Sequence, residues 1–235
     1  MRRSDSTAIE SACAVFGIFK ADERGIYMVH RVLEFLIILT TIGSWVRMFR
    51  RGGERVLSQQ GFASLKYYTC LSNIFAGLVS GLTVLCLLVN GLQASLPMWV
   101  VLLKYSAAVS VCLTFCVVMV FLGPRMGYKL LFAEEQLFLH AVGPLLAVFS
   151  FLRSPFIPQM KSSATFIAVI PTLLYGIVYA ANILKNGIGE GEKTNDWYGF
   201  AVGGVKSIPV VFAIIMTVTW GLAVGMLALR GVFQS

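Results

Sequence analysis

LKYYTCLSNIFAG, residues 65–77, opens an apolar run that continues to Val89. Within it stand a lysine, a threonine, a serine and an asparagine, where a lipid-facing helix carries leucine. At 3.6 residues per turn Lys66, Thr69, Ser72 and Asn73 fall on one face, and Ser80 and Thr83 extend the stripe. The stretch reads as a membrane helix whose polar face is turned toward other protein. The fold then depends on how many such helices the chain holds.

The whole chain of 235 residues has the same character: 57% are hydrophobic, only 13% are charged, and the mean hydropathy is +0.80. A soluble domain is nearer half apolar and a quarter charged, so the composition is that of an integral membrane protein. The net charge of +8 does not point to nucleic acid. Its basic residues gather in short segments between apolar runs, which is a pattern of membrane orientation and not of a phosphate-binding groove.

Six segments reach the ~20 apolar residues of a spanning helix: 27–49, 62–89, 97–122, 130–152, 164–184 and 207–229. The connections between them carry Gly, Pro, Ser or charge. The expected fold class is all-α: a polytopic integral membrane protein, a bundle of six transmembrane helices. Residues 1–26 read as an N-terminal interfacial segment, 27–230 as the six-helix domain and 231–235 as a short tail. No cleavable leader is evident. Loops one, three and five, with their flanking helix ends, hold more Lys and Arg than the other face, so the positive-inside rule puts them in the cytoplasm and the termini outside. The glycine-rich fifth loop carries a Trp197-Tyr198 pair suited to the headgroup region.

Five cysteines, mostly within apolar runs, read as small hydrophobes and not as a disulfide framework. Only His30 and His140 offer imidazole, and no metal-ligand spacing occurs, so neither a metal nor an organic cofactor is expected. Ionisable groups inside spans are expensive and mark function by default. Segment one holds Glu34, with His30 a turn earlier; segment three holds Lys104; segment four holds Glu134, Glu135, Gln136 and His140.

Depth relates two of these groups. Segments two and four enter from the same face, with Thr69 ~10 Å and His140 ~15 Å from their starts. The two meet in one cavity if the helices face each other. A hydroxyl beside an imidazole is the minimum of an activated nucleophile. Gln136, a turn before His140, is placed to orient its ring, while Asn73 and Ser72 are candidates for oxyanion or orienting contacts. Lys66 or Lys104 would hold a substrate carboxylate. Glu34 and the Tyr175, Tyr179, Asn182 face are candidates for lining the cavity.

Structural readings compete with each of these. A membrane-helix threonine commonly bonds the carbonyl one turn back. Ser72 and Asn73 suit interhelical contact, and Glu34 with Lys104 suits a buried ion pair.

KYYTCLSNIF in the second segment and LFLHAVGPLLAVFSFL in the fourth resemble two signature segments of the androgen-induced membrane hydrolases, six-helix proteins of similar length. The resemblance covers nearly the whole chain through short motifs. It implies an atypical threonine hydrolase of fatty acid esters of hydroxy fatty acids, with Thr69 matching the nucleophile and His140 the base. The chain departs from the family at 196–200, DWYGF, which lacks the family's Tyr-Pro pair. After His140 it keeps Gly143-Pro144 but not the polar residues of eukaryotic members.

The expected function is therefore a membrane-embedded lipid ester hydrolase. Its partners would be membrane lipids and a lipid-ester substrate, with no nucleic acid, and its location a bacterial inner membrane. The alternatives are a non-enzymatic lipid-binding or regulatory bundle and a small transporter relaying ions through Glu34, Lys104 and His140.

Overall fold

The computed structural model describes residues 23–50, 61–190, 194–201 and 203–234. Among these the regular structure is helical throughout. Five helices are long and apolar enough to cross a membrane: α1 (Glu23–Arg50), α2 (Tyr68–Asn90), α3 (Met98–Met126), α5 (Ala164–Asn186) and α6 (Ile208–Gln234). This is the build of a multi-pass helical membrane protein. Most of the interfacial segment expected over 1–26 lies outside the described residues. The tail expected over 231–235 is helical as far as Gln234.

The segment expected at 130–152 is shorter than a span. After a single turn at Tyr128–Leu131 the chain breaks, with Glu134 at φ 52°. Helix resumes at Glu135 and continues as α4 (Phe138–Arg153), roughly 24 Å long at 1.5 Å per residue.

Two π turns have one cause. Val118–Leu122 in α3 and Phe138–Val142 in α4 each run into a Gly-Pro pair, Gly123-Pro124 and Gly143-Pro144. Proline has no N–H for the carbonyl four residues back, and its ring crowds that carbonyl. The preceding glycine N–H bonds five residues back instead, to the carbonyls of Val118 and Phe138. His140 lies inside the second of these turns, a type of irregularity frequent at functional sites.

Helix α3 is the axis of the bundle. Its Val100, Val101, Tyr105 and Val109 are fully buried against Phe151 of α4 and Ala223 of α6. Tyr105 stacks on Phe151 at 4.9 Å, and its hydroxyl donates to the Ala223 carbonyl at 2.6 Å. The polar stripe of α2 faces this interior: Ser72, Asn73, Ser80 and Thr83 are all buried. Close packing there depends on Gly77, where a Cβ would come within 2.8 Å of the Thr41 side chain of α1.

A candidate active site at one end of the bundle

Thr69 lies in the first turn of α2, because residues 61–66 form a 3₁₀ turn and the α-helix begins only at Tyr68. The expected depth of ~10 Å is thus too large, and the residue sits at the helix mouth. Thr83, Thr217 and Thr219 each donate to the carbonyl one turn back. Thr69 has no such turn behind it. Among the threonines of the described residues, its hydroxyl is the one without a hydrogen bond.

The backbone of that first turn is nearly saturated. The Tyr68 N–H donates to the Tyr198 hydroxyl at 2.7 Å, and the Cys70 and Leu71 N–H groups donate to the Tyr67 carbonyl. The Thr69 N–H is left over, at the positive end of the helix.

His140 is held by the chain break. The Leu131 carbonyl, an orphan acceptor where the short helix ends, lies 2.6 Å from His140 Nδ1. A carbonyl only accepts, so Nδ1 carries the hydrogen and Nε2 keeps a lone pair. Gln136 lines the same cavity, but the ring is oriented by this carbonyl and not by Gln136.

Thr69 and His140 line one cavity of about 190 Å³ with Gln136, Tyr67, Trp197 and Tyr198. Its wall comes from the end of α1, the start of α2, the end of α3, the start of α4 and the loop before α6. The π turns and the Gly-Pro pairs are therefore grouped at the cavity end. Trp197 and Tyr198 contribute their rings to this wall. Asp196 fixes their loop, accepting the Phe200 and Ala201 N–H groups at 2.8 Å and the Tyr179 hydroxyl. Gly199 takes φ +69° to close that turn. Burial raises the Tyr198 hydroxyl well above the usual tyrosine range, so it stays protonated.

Asn73 clamps the two halves together. Its two amide hydrogens go to the carbonyls of Thr69 at 2.8 Å and Leu139 at 2.9 Å. With both committed, Asn73 has none left for an oxyanion, contrary to the expectation from spacing. Gly143 makes room for this clamp, since a Cβ there would stand 2.7 Å from Asn73 Oδ1. The Ser72 hydroxyl is also engaged, bonded to Thr114 Oγ1 at 3.0 Å and to the Thr69 carbonyl at 3.2 Å. It joins α2 to α3.

Two further spaces adjoin the cavity. A narrow apolar slot of about 70 Å³ is lined by Thr69, Leu113, Val117, Phe212 and Ile215, and shares Leu122 and Tyr198 with the cavity. A cleft of about 650 Å³ between α2 and α5 carries Lys66, Tyr175, Tyr179 and Asn182. There the Lys66 ammonium stands 5.2 Å over the Tyr67 ring and 5.5 Å over Trp197. Burial lowers its pKa from the usual lysine value.

Lys104 and Glu34 belong elsewhere. The Lys104 ammonium is 2.5 Å from Glu34 Oε1, which also accepts from Ser150 and lies 2.8 Å from His30 Nε2. Both ions are buried and neither lines the three spaces just described. Lys104 is thus spent on an ion pair rather than free for a substrate carboxylate, and Glu34 is sealed rather than cavity-lining.

Sequence reasoning missed the Leu131 carbonyl, the Thr69 N–H and Tyr198. The only signal for them was the pair of Gly-Pro breaks. Compared with protein-family models, curated proteins and solved structures, the chain finds no match in any of the three.

Proposed function

We propose that the protein is a membrane-embedded lipid ester hydrolase with Thr69 as nucleophile and His140 as general base. The observation that carries this reading is a threonine with an unpaired hydroxyl that lines the same cavity as a histidine whose tautomer is fixed with Nε2 as acceptor. In this reading α4 is a sixth crossing, which puts the start of α2, the start of α4 and the loop before α6 at one membrane face. A bacterial inner membrane is the proposed location.

Nε2 of His140 takes the Oγ1 proton, directly or through one water, as Oγ1 bonds to the ester carbonyl carbon. The carbonyl electron pair moves onto oxygen, where the spare Thr69 N–H donates to it. Collapse of this intermediate expels the alcohol oxygen, which takes the proton from His140 and leaves an acyl-threonine. A water deprotonated by His140 then attacks the acyl carbon, and the second collapse releases the acid and restores Thr69. Tyr198, by accepting the Tyr68 N–H, positions the turn that carries both attacking oxygen and donor.

The apolar slot suits the acyl chain of such an ester, and the α2–α5 cleft suits a second chain with a carboxylate near Lys66. Those features favour fatty acid esters of hydroxy fatty acids as the substrate class. A serine-hydrolase probe tests the chemistry: it should label Thr69 covalently in the wild type and fail to label Thr69→Ala or His140→Ala. Lipid that co-purifies with no turnover and no adduct on Thr69 would replace the enzyme with a lipid-binding bundle.

A further inference from the structure

The opposite end of the bundle holds a second constellation, centred on Arg230 of α6, which is only 2% exposed. Its guanidinium donates to the carbonyls of Phe151 at 2.6 Å, Leu152 at 3.3 Å, Ser154 at 3.0 Å and Ile157 at 2.8 Å. It thereby caps the C-terminal end of α4, where orphan carbonyls and the helix dipole favour a cation. The cap supplies dipoles but no formal counter-charge. Among the described residues no carboxylate pairs with Arg230, and its buried Nε has no acceptor. The loops at 90–97 and 153–163 and the last turns of α6 hold Arg153, Lys161 and Arg230 but no acidic residue. A buried cation of this kind is costly unless an anion approaches it.

Arg230 also lines a cavity of about 620 Å³ between the α4–α5 loop, the start of α5 and α6. The size suits a small-molecule site. Gln159, Ser162 and Ser163 give its exposed rim amide and hydroxyl donors. Trp220, Val224, Leu227 and Gly231 recur at helical spacing, so the α6 wall is one strip about 16 Å long. Phe166 of α5 stacks with Trp220 at 6.3 Å along that strip.

We infer that this cavity binds one anionic phospholipid of the adjacent leaflet. The phosphate diester sits between the rim hydroxyls and Arg230, supplying a counter-charge that no described carboxylate provides, while one acyl chain lies along the α6 strip. Basic pockets between membrane helices take lipid phosphates in this way. The strip selects lipid over free phosphate, because an inorganic anion gains nothing from an apolar wall. The site is independent of Thr69 and His140.

Native mass spectrometry of the full chain, with equimolar phosphatidylglycerol and phosphatidylcholine, tests the assignment. One phosphatidylglycerol should be retained with about tenfold preference, a difference of ~1.4 kcal/mol. Ser163→Asp, which charges the rim, and Ala228→Trp, which fills the strip, should both lose that preference while melting like wild type in lipid-free detergent. These exposed positions keep the test decisive even if Arg230→Gln fails to fold. Equal retention of the two lipids, or a preference that survives in both variants, overturns the site. Inorganic phosphate raising the melting temperature as much as phosphatidylglycerol does would overturn the lipid assignment as well.

Discussion

The chain has two histidines, and they stand in opposite circumstances. His30 lies beside Glu34 at the centre of the bundle, where one carboxylate oxygen gathers Lys104, Ser150 and His30 at 2.5–2.8 Å. Glu34 is fully buried and no neighbouring cavity gives the group access to a substrate among the spaces described above. His140 is also buried, but its Nδ1 is met by a backbone carbonyl and it lines a cavity shared with Thr69, whose hydroxyl is unpaired. The residue types are alike. What differs is access after packing: the central cluster pairs its charge, and its unbonded atoms, Glu34 Oε2 and His30 Nδ1, are buried away from the cavities described, whereas the end cluster keeps a lone pair and an unpaired hydroxyl on two residues that line one cavity. Buried polar groups are normally paired, so a leftover group beside a cavity is the informative one.

Substitutions at six positions break or sharpen this contrast. The largest effect is expected at the end cluster: Thr69→Ala or His140→Ala should lower ester turnover by about 10³–10⁴-fold, as loss of a nucleophile or its base does elsewhere. The melting temperature should stay near wild type, and turnover within tenfold of wild type in both variants would discard the mechanism. The central cluster should give the reverse pattern. Glu34→Gln leaves Lys104 buried without its counter-ion and should cost about 3–5 kcal/mol of stability, read as denaturant or thermal unfolding in detergent. Adding Lys104→Met to that variant should recover much of the loss; no recovery would mean that the pair is not the source.

Asn73→Ala tests the clamp between the two halves of the site. Loss of its two hydrogen bonds should cost about 1–3 kcal/mol and lower kcat, because the first turn of α2 and the π turn of α4 come apart. Unchanged kcat and stability would show that something else holds Thr69 and His140 together. The smallest effect is expected at Lys66. Lys66→Met should raise KM for a carboxylate-bearing ester by at most about fivefold, the scale of a partly exposed ion pair, and leave its methyl ester unaffected. The pH dependence follows the same charge. Burial lowers the folded pKa of Lys66, so the ammonium is lost earlier than in a free lysine as pH rises. KM for the carboxylate ester should therefore climb in alkaline buffer, and a flat profile would remove Lys66 from substrate binding.

Much of the organisation was legible in the chain alone. Composition and run length point to a multi-pass helical protein, since a run of ~20 apolar residues satisfies its own backbone within lipid as a helix. Helical periodicity turns the stripe of α2 inward, and parity brings Thr69 and His140 to one end. Periodicity, however, describes faces and not partners. It assigned Asn73 to an oxyanion and Gln136 to the imidazole, whereas packing commits the Asn73 amide to two carbonyls and gives the ring to Leu131.

The shortened fourth segment shows the same division. Hydropathy averages over the break at 132–134 because Leu130–Phe132 and Leu137–Leu139 flank Glu134, Glu135 and Gln136 on both sides. Backbone geometry ends the helix there, and the end exposes the carbonyl that fixes His140. Arg230 counted in the sequence only as one loop charge among several; the tertiary structure buries it on four carbonyls. The sequence by itself determined which segments are helical, which faces are polar and which end gathers the threonine and the histidine, because those depend on local transfer energies and helix period. Only the tertiary structure decided which polar groups are spent and which are spare, because hydrogen bonds are settled pairwise between segments far apart in the chain.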